Sequence, residues 1–209
     1  MTSARRHPRR PPQPSRAGGF SLIELLISLT IMIILFLMLF GFGSKRNQLS
    51  KIQKCQANLQ KLFISLQIYS NDSGEKFPFV PNARTSEDVL DVLVPRYSAD
   101  NSIFICPGGQ DGALTPGASL KAGRISYAYY MGHKATDAQS VLMTDRQVDT
   151  LAKKTWGQVF SDNGKKPANN HHKYGGNFLF CDGSTRSSDW LTPIPLPLAS
   201  NIVLLNPKP

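Results

Sequence analysis

The sequence predicts an α+β protein: a long N-terminal helix, half membrane-spanning and half amphipathic, packed on a small antiparallel β-sheet head. Three observations carry that expectation. Phe20 to Phe42 contains no proline, lysine or arginine and one acid, Glu24. Leu49, Ile52, Cys55, Leu59, Leu62, Leu66 and Tyr69 then recur at steps of three or four. Beyond residue 100, short aromatic and branched runs alternate with Gly, Pro, Asn and Asp.

The first run is long enough to cross a bilayer core, which takes about 20 apolar residues as a helix. A cleaved secretory signal has a shorter apolar region of roughly 7–15 residues with small residues after it. Here Gly18 and Gly19 come before it, so the run is expected to be kept. Glu24 is costly inside hydrocarbon and calls for a partner. A cut between Gly19 and Phe20 would place a free α-amino group four residues ahead of it, at the positive end of the helix dipole.

At Gly19-Phe20-Ser21-Leu22-Ile23-Glu24-Leu25-Leu26 the chain resembles the type IV prepilin family, which includes the pseudopilins of type II secretion systems. In that family a membrane-embedded prepilin peptidase cuts after the glycine and N-methylates the new phenylalanine. The glutamate at the fifth mature position guides assembly. The resemblance therefore implies cleavage at Gly19/Phe20, methylation of Phe20 and an assembly role for Glu24. It also implies a pilin-like fold, with prepilin peptidase, other pilin-like subunits, an inner-membrane assembly platform and membrane lipid as partners. The N-terminus would be cytoplasmic and the head periplasmic.

Residues 1–19 form the leader of this reading, rich in proline and arginine with little apolar to bury, and expected to be disordered. Arg5, Arg6, Arg9, Arg10 and Arg16 all lie in it, so its removal halves the formal net charge of +10. The remaining charge is spread along the chain, and no nucleic-acid partner is expected. Residues 20–43 are the membrane and assembly helix, and 44–72 its amphipathic half, with Lys45, Lys51, Lys54 and Lys61 outward. A continuous helix from Phe20 to Ser70 would be about 75 Å long. Gly41 and Gly43 are its weak point, since glycine costs up to about 1 kcal/mol in a helix interior. Asn71-Asp72-Ser73-Gly74 stops it.

Residues 73–192 are the expected head. Phe77 to Pro81 is an extended connection. Ser86, followed by Glu87 and Asp88, caps a short helix through about Leu93, ended by Pro95. Ile103 to Cys106 is a short strand, 110–124 a loop, Ser126–Tyr130 and Val141–Thr144 strands, and Ser161–Gly176 a second loop. Asn177–Cys181, Asp182-Gly183 and Ser184–Ser187 make a hairpin with a two-residue turn. On the first strand of that hairpin Asn177, Leu179 and Cys181 share a face opposite Phe178 and Phe180. Residues 193–209 alternate proline with leucine and isoleucine, which suits a late edge strand or a tail packed on the head.

The head also resembles a large group of prepilin-like proteins with a C-terminal His-x9-Asp-Gly signature, here His172, Asp182 and Gly183. Further pieces follow in order: Cys55 to Phe63, Tyr69 to Pro78, Phe104-Ile105-Cys106-Pro107 and Ser126-Tyr127-Ala128-Tyr129. Where that group often continues with histidine, this chain has Ser184.

The 3 cysteines permit one bridge and leave one thiol over. Spacing does not choose the pair; Cys55 and Cys106 are the candidate bridge. No CxxC pair suggests a zinc site. Calcium is the cofactor candidate, because the resemblance to major secretion pseudopilins implies a calcium-binding C-terminal loop. Asp145, Asp162 and Asp182, with Asn163, could offer oxygens. A catalytic reading would draw on His171, His172, Cys181 and Asp182 as nucleophile–base or general-base pairs. The bland alternative has His172 hydrogen-bonding across its loop and Asp182-Gly183 simply turning the chain.

The function these observations favour is a non-enzymatic pseudopilin or pilin-like subunit of a type II secretion-like system. The alternatives are a type IV pilus or minor tip subunit whose head binds a ligand, with which Tyr127–Tyr130 would be compatible though equally good as core, and a membrane-anchored hydrolase using His172 and Asp182.

Overall fold

The computed structural model describes residues 19–41 and 43–209. The leader and its expected disorder lie, but for Gly19, outside the described residues. The chain divides after Gly43 into two units.

The first unit carries α1, Leu22–Gly41. The Ser21 carbonyl accepts hydrogen bonds from the Glu24 and Leu25 N–H groups at 3.0 and 3.2 Å, which starts the helix one residue after it. Leu22–Leu39 is a candidate membrane span by length and composition, and none of it is buried within the chain. Its 20 residues rise about 30 Å, the thickness of a bilayer core. Its hydroxyls turn inward on the backbone: Ser28 Oγ donates to the Leu25 carbonyl at 2.9 Å and Thr30 Oγ1 to that of Leu26 at 2.6 Å. No hydroxyl is left to face hydrocarbon unsatisfied.

The helix expected to run nearly continuously from Phe20 to Ser70 is described on either side of Phe42, as α1 and as α2, Gly43–Asp72. Phe42, between the two glycines marked as its weak point, lies outside the described residues.

In the second unit α2 buries Ile52, Cys55, Leu59, Leu62 and Leu66, the stripe its periodicity indicates, while Leu49 remains 47% exposed. Against it lies a five-stranded sheet of β1 (Tyr127–Met131), β2 (Val141–Asp145), β3 (Gly176–Phe180), β4 (Thr185–Ser188) and β5 (Val203–Leu205), ordered β4-β3-β2-β1-β5. Every pairing is antiparallel. The fold is α+β, as expected: an apolar N-terminal helix followed by a second helix and an antiparallel sheet.

Strand alternation serves two cores. Tyr127, Tyr129, Met143, Leu179 and Cys181 join the α2 side, whereas Ala128, Tyr130, Val141, Phe178 and Phe180 face the opposite way. The second face is covered by Leu196, Ile202 and Leu204 from the proline-rich end, with Trp190 and Ile194 packed on them. That end is thus both a covering segment and, at β5, an edge strand, the position where nearby prolines cost no ladder bonds. A register shift between Val141 and Met143 places Leu142 beside Met143 on the α2 side.

Several local expectations are corrected. Ile103–Cys106 is not a strand: Asn101–Phe104 is a 3-10 helix, started by Asp100, whose side chain accepts the Ser102 N–H at 2.9 Å. The helix α3 spans Ser86–Leu90 and passes into a 3-10 turn at Asp91–Leu93. Its N-cap is Thr85 rather than Ser86: Asp88 reaches back to accept the Thr85 N–H at 3.0 Å. Ser86 Oγ instead donates to the Leu205 carbonyl at 2.8 Å, tying α3 to β5. The hairpin turn holds three residues rather than two. The Gly183 N–H donates to the Phe180 carbonyl at 3.0 Å and the Phe180 N–H to that of Ser184 at 2.9 Å. Gly183 has φ 83° while Asp182 keeps negative φ, because a three-residue loop needs one left-handed position.

Candidate functional site

Two places carry chemistry: the start of α1 and a buried cluster at the junction of α2 with the sheet.

At the first, Gly19 and Phe20 precede the helix, and Phe20 is 83% exposed. The Gly19–Phe20 bond therefore lies in non-helical backbone, the form in which a peptidase can engage a chain. Glu24 sits in the first turn of α1, where the helix dipole favours a negative charge. Among the described residues no side chain pairs with its carboxylate.

The second place is built from four segments. Cys55 on α2 and Cys106, two residues past the 3-10 helix, are joined by a disulfide with Cα atoms 5.2 Å apart. Asp145 ends β2, and His171 stands in the loop before β3. His171 Nε2 lies 3.4 Å from Cys106 Sγ and 3.3 Å from Asp145 Oδ2, with both ionisable side chains wholly buried. Asp145, offered in the sequence as a calcium ligand, instead turns its oxygens to the protein. Its Oδ2 accepts the Asn177 backbone N–H at 2.8 Å and Nδ2 at 3.1 Å, and its Oδ1 accepts Asn170 Nδ2 at 3.1 Å. Asn177 Nδ2 also donates to the Ile52 carbonyl at 3.1 Å, so the cluster fastens β3 to α2. A buried carboxylate is tolerable only with this degree of hydrogen bonding.

The calcium set does not assemble. Asp145 lies at one end of β2, beside the start of β3, whereas Asp182 follows the far end of β3 and is exposed. Its Oδ1 accepts the Ser184 N–H at 2.8 Å. Hydrogen bonds from Ser184, hydroxyl and backbone N–H, hold the Asp182 carboxyl below its ordinary 3.8. Asp162 is exposed, and Asn163 Oδ1 is occupied by the Lys165 N–H at 2.9 Å.

The signature pair is likewise separated. His172 precedes β3 and Asp182 follows it, so the strand stands between them, about 17 Å of chain at 3.3 Å per residue. The His172 ring packs over Gly164, where an added Cβ would meet it at 2.5 Å, and lies 6.3 Å from the Tyr174 ring. Among the described residues it makes no side-chain hydrogen bond, so the expected bond across the loop is absent there. Gly183 has a packing reason: an added Cβ would meet the Phe63 ring of α2 at 2.5 Å.

Cys181 is buried away from both histidines' chemistry, and burial pushes its thiol up to about 12. A thiol held neutral is a poor nucleophile. Tyr127–Tyr130 is buried strand rather than an exposed loop, its side chains divided between the two cores. The sequence named His171 only as one of a catalytic set; its true neighbours, Cys106 and Asp145, are too distant along the chain for spacing to reveal.

Residues 14–40 match the family model described as the prokaryotic N-terminal methylation motif. The match covers Gly19, Phe20, Glu24 and most of α1, and stops before the head. It supports a type IV pilin-like or pseudopilin subunit, a single-pass membrane-anchored form, and a pilin-like arrangement of apolar helix and α+β head. No curated protein and no solved structure matches the chain.

Proposed function

We propose that this chain is a filament subunit of a type II secretion-like system, processed by a prepilin peptidase and extracted from the inner membrane by an assembly platform. The observation that carries this reading is the methylation motif lying over an apolar helix with no burial of its own. A helix so apolar has two stable surroundings, lipid before assembly and the corresponding helices of neighbouring copies after it. Exchange between them costs little hydrophobic free energy, which lets a motor move the subunit. Glu24 then sets the axial step, because its carboxylate in a water-free bundle is stabilised only where it meets the α-amine of a neighbour's Phe20.

The role proposed is structural rather than catalytic, and two features support it. His172 and Asp182 lie at opposite ends of β3, and the free thiol is buried and neutral. The deciding experiment is intact mass and N-terminal sequencing of the protein recovered from membranes of cells with and without a prepilin peptidase. A peptidase-dependent chain beginning at N-methylated Phe20 is the expected result. A chain retaining its leader in both would overturn the reading.

A further inference from the structure

We propose that the buried cluster around Cys55–Cys106 becomes, when the disulfide is open, a tetrahedral site for a thiolate-binding divalent cation of the zinc class. Cys55, Cys106, Asp145 and His171 each offer one ligand atom, all four are buried, and these atoms lie within 4.8 Å of one another. Two sulfurs, an imidazole nitrogen and a carboxylate oxygen are a donor set for zinc rather than for calcium, which takes oxygen.

The spacing supports a tetrahedron. With metal–nitrogen and metal–oxygen bonds of about 2.0 Å and metal–sulfur of about 2.3 Å, ligand atoms around zinc stand roughly 3.3–3.8 Å apart. His171 Nε2 is 3.3 Å from Asp145 Oδ2 and 3.4 Å from Cys106 Sγ. Once the sulfur–sulfur bond is cut, the two sulfurs move to non-bonded separation, close to the sulfur–sulfur edge of the same figure, about 3.8 Å.

For the carboxylate ligand the support such a site needs is also in place. Ligands to zinc are oriented by hydrogen bonds from behind. Here Asn170 and Asn177 hold the Asp145 carboxylate from two sides. His171 Nδ1 has no hydrogen-bond partner among the described residues, so it can take the ring proton and leave the Nε2 lone pair toward the cation. The four ligands come from α2, the segment after the 3-10 helix, β2 and the loop before β3. The cation would therefore join the parts of the head that the disulfide and its neighbours join now.

Bridge and cation exclude each other. A dithiol reductant gives two electrons and two protons to the bridge and becomes a disulfide itself, leaving Cys55 and Cys106 as thiols. The cation then displaces both thiol protons to solvent and binds two thiolates. The head would thus have two alternative staples, one for oxidising and one for reducing surroundings.

The test uses the full-length chain in detergent, oxidised or reduced with a non-chelating phosphine, titrated with cobalt(II) as the spectroscopic probe and with zinc(II) for stoichiometry. The reduced chain should take up one ion and show thiolate-to-cobalt charge-transfer bands with the visible bands of tetrahedral cobalt. The oxidised chain should show neither, and D145N should weaken the reduced chain's affinity by about tenfold or more. Four results would overturn the proposal: a folded reduced chain without the bands, equal bands in the oxidised chain, bands that persist in the C55S/C106S double variant, or a reduced head that circular dichroism finds unfolded with and without cobalt. The comparison of oxidised with reduced wild type needs no variant to fold.

Discussion

Asp145 Oδ2 and Asn177 meet twice, at 2.8 Å through the backbone N–H and at 3.1 Å through the side-chain amide, in a place closed to solvent. This pairing decides how β3 sits. Asn177 is on the strand face turned to α2, and without a buried acceptor its amide would oppose the burial of the entire strand. D145A leaves the Asn177 donors and Asn170 Nδ2 without that acceptor. The expected cost is about 3–5 kcal/mol, typical of removing one partner of a buried charged network. Urea unfolding followed by tryptophan fluorescence measures it, and a cost below about 1 kcal/mol would show that water enters in place of the carboxylate.

The disulfide closes a loop between positions 51 residues apart. Chain-entropy arguments give about 4 kcal/mol for a loop of that size. Reduction in metal-free buffer should lower the denaturation midpoint accordingly, and C55S/C106S should match the reduced wild type.

Gly183 combines φ 83° with a Phe63 ring where a Cβ would go. G183A should cost about 1–3 kcal/mol. The same substitution in an F63A background should cost less, because the steric part is gone and only backbone strain is left. A double-mutant cycle separates the two contributions.

Acid should weaken the head through carboxylates that fold into backbone caps. Asp182, held down by Ser184, and Asp88, held down chiefly by the Arg84 N–H, both lie below their ordinary 3.8 in the folded chain. Their contribution is full above that value and is lost as pH falls through the lowered ones. Thermal melts from neutral pH down to about pH 3 should show a decline. In D182N and D88N the decline should be shallower.

E24A should still be cleaved, since the peptide bond at Gly19–Phe20 is unchanged, but should assemble poorly. A roughly tenfold loss of filament corresponds to about 1.4 kcal/mol at the affected contact. G19A should reduce cleavage instead. Immunoblotting of the processed form alongside sheared filaments distinguishes the two; normal filaments from E24A would remove the register argument.

Local chemistry was legible where a pattern repeats or a residue has few conformational choices. The α2 stripe, the strands at Tyr127, Val141 and Asn177, and the methylation motif are all of this kind. Ile103–Cys106 misled because a short apolar run has no period to separate strand from 3-10 turn, and Asp100 settled it by capping. Of the buried cluster, the sequence offered only the Cys55–Cys106 bridge as a candidate, not its neighbours. Cys55, Cys106, Asp145 and His171 come from four segments, and only the fold makes them neighbours. The His-x9-Asp-Gly spacing invited a pairing that the strand between those residues prevents.

The bridge from Cys55 to Cys106 also determines how the head carries tension. A pull applied along α2 from its N-terminal side reaches Cys55 before it reaches Leu59, Leu62 or Leu66, and there it can pass through a covalent bond into the segment leading to β1. The later turns of α2 are in this way shielded from peeling, because the load bypasses their non-covalent packing. A subunit drawn out of a bilayer by its helix would keep its core together for as long as that one sulfur link holds.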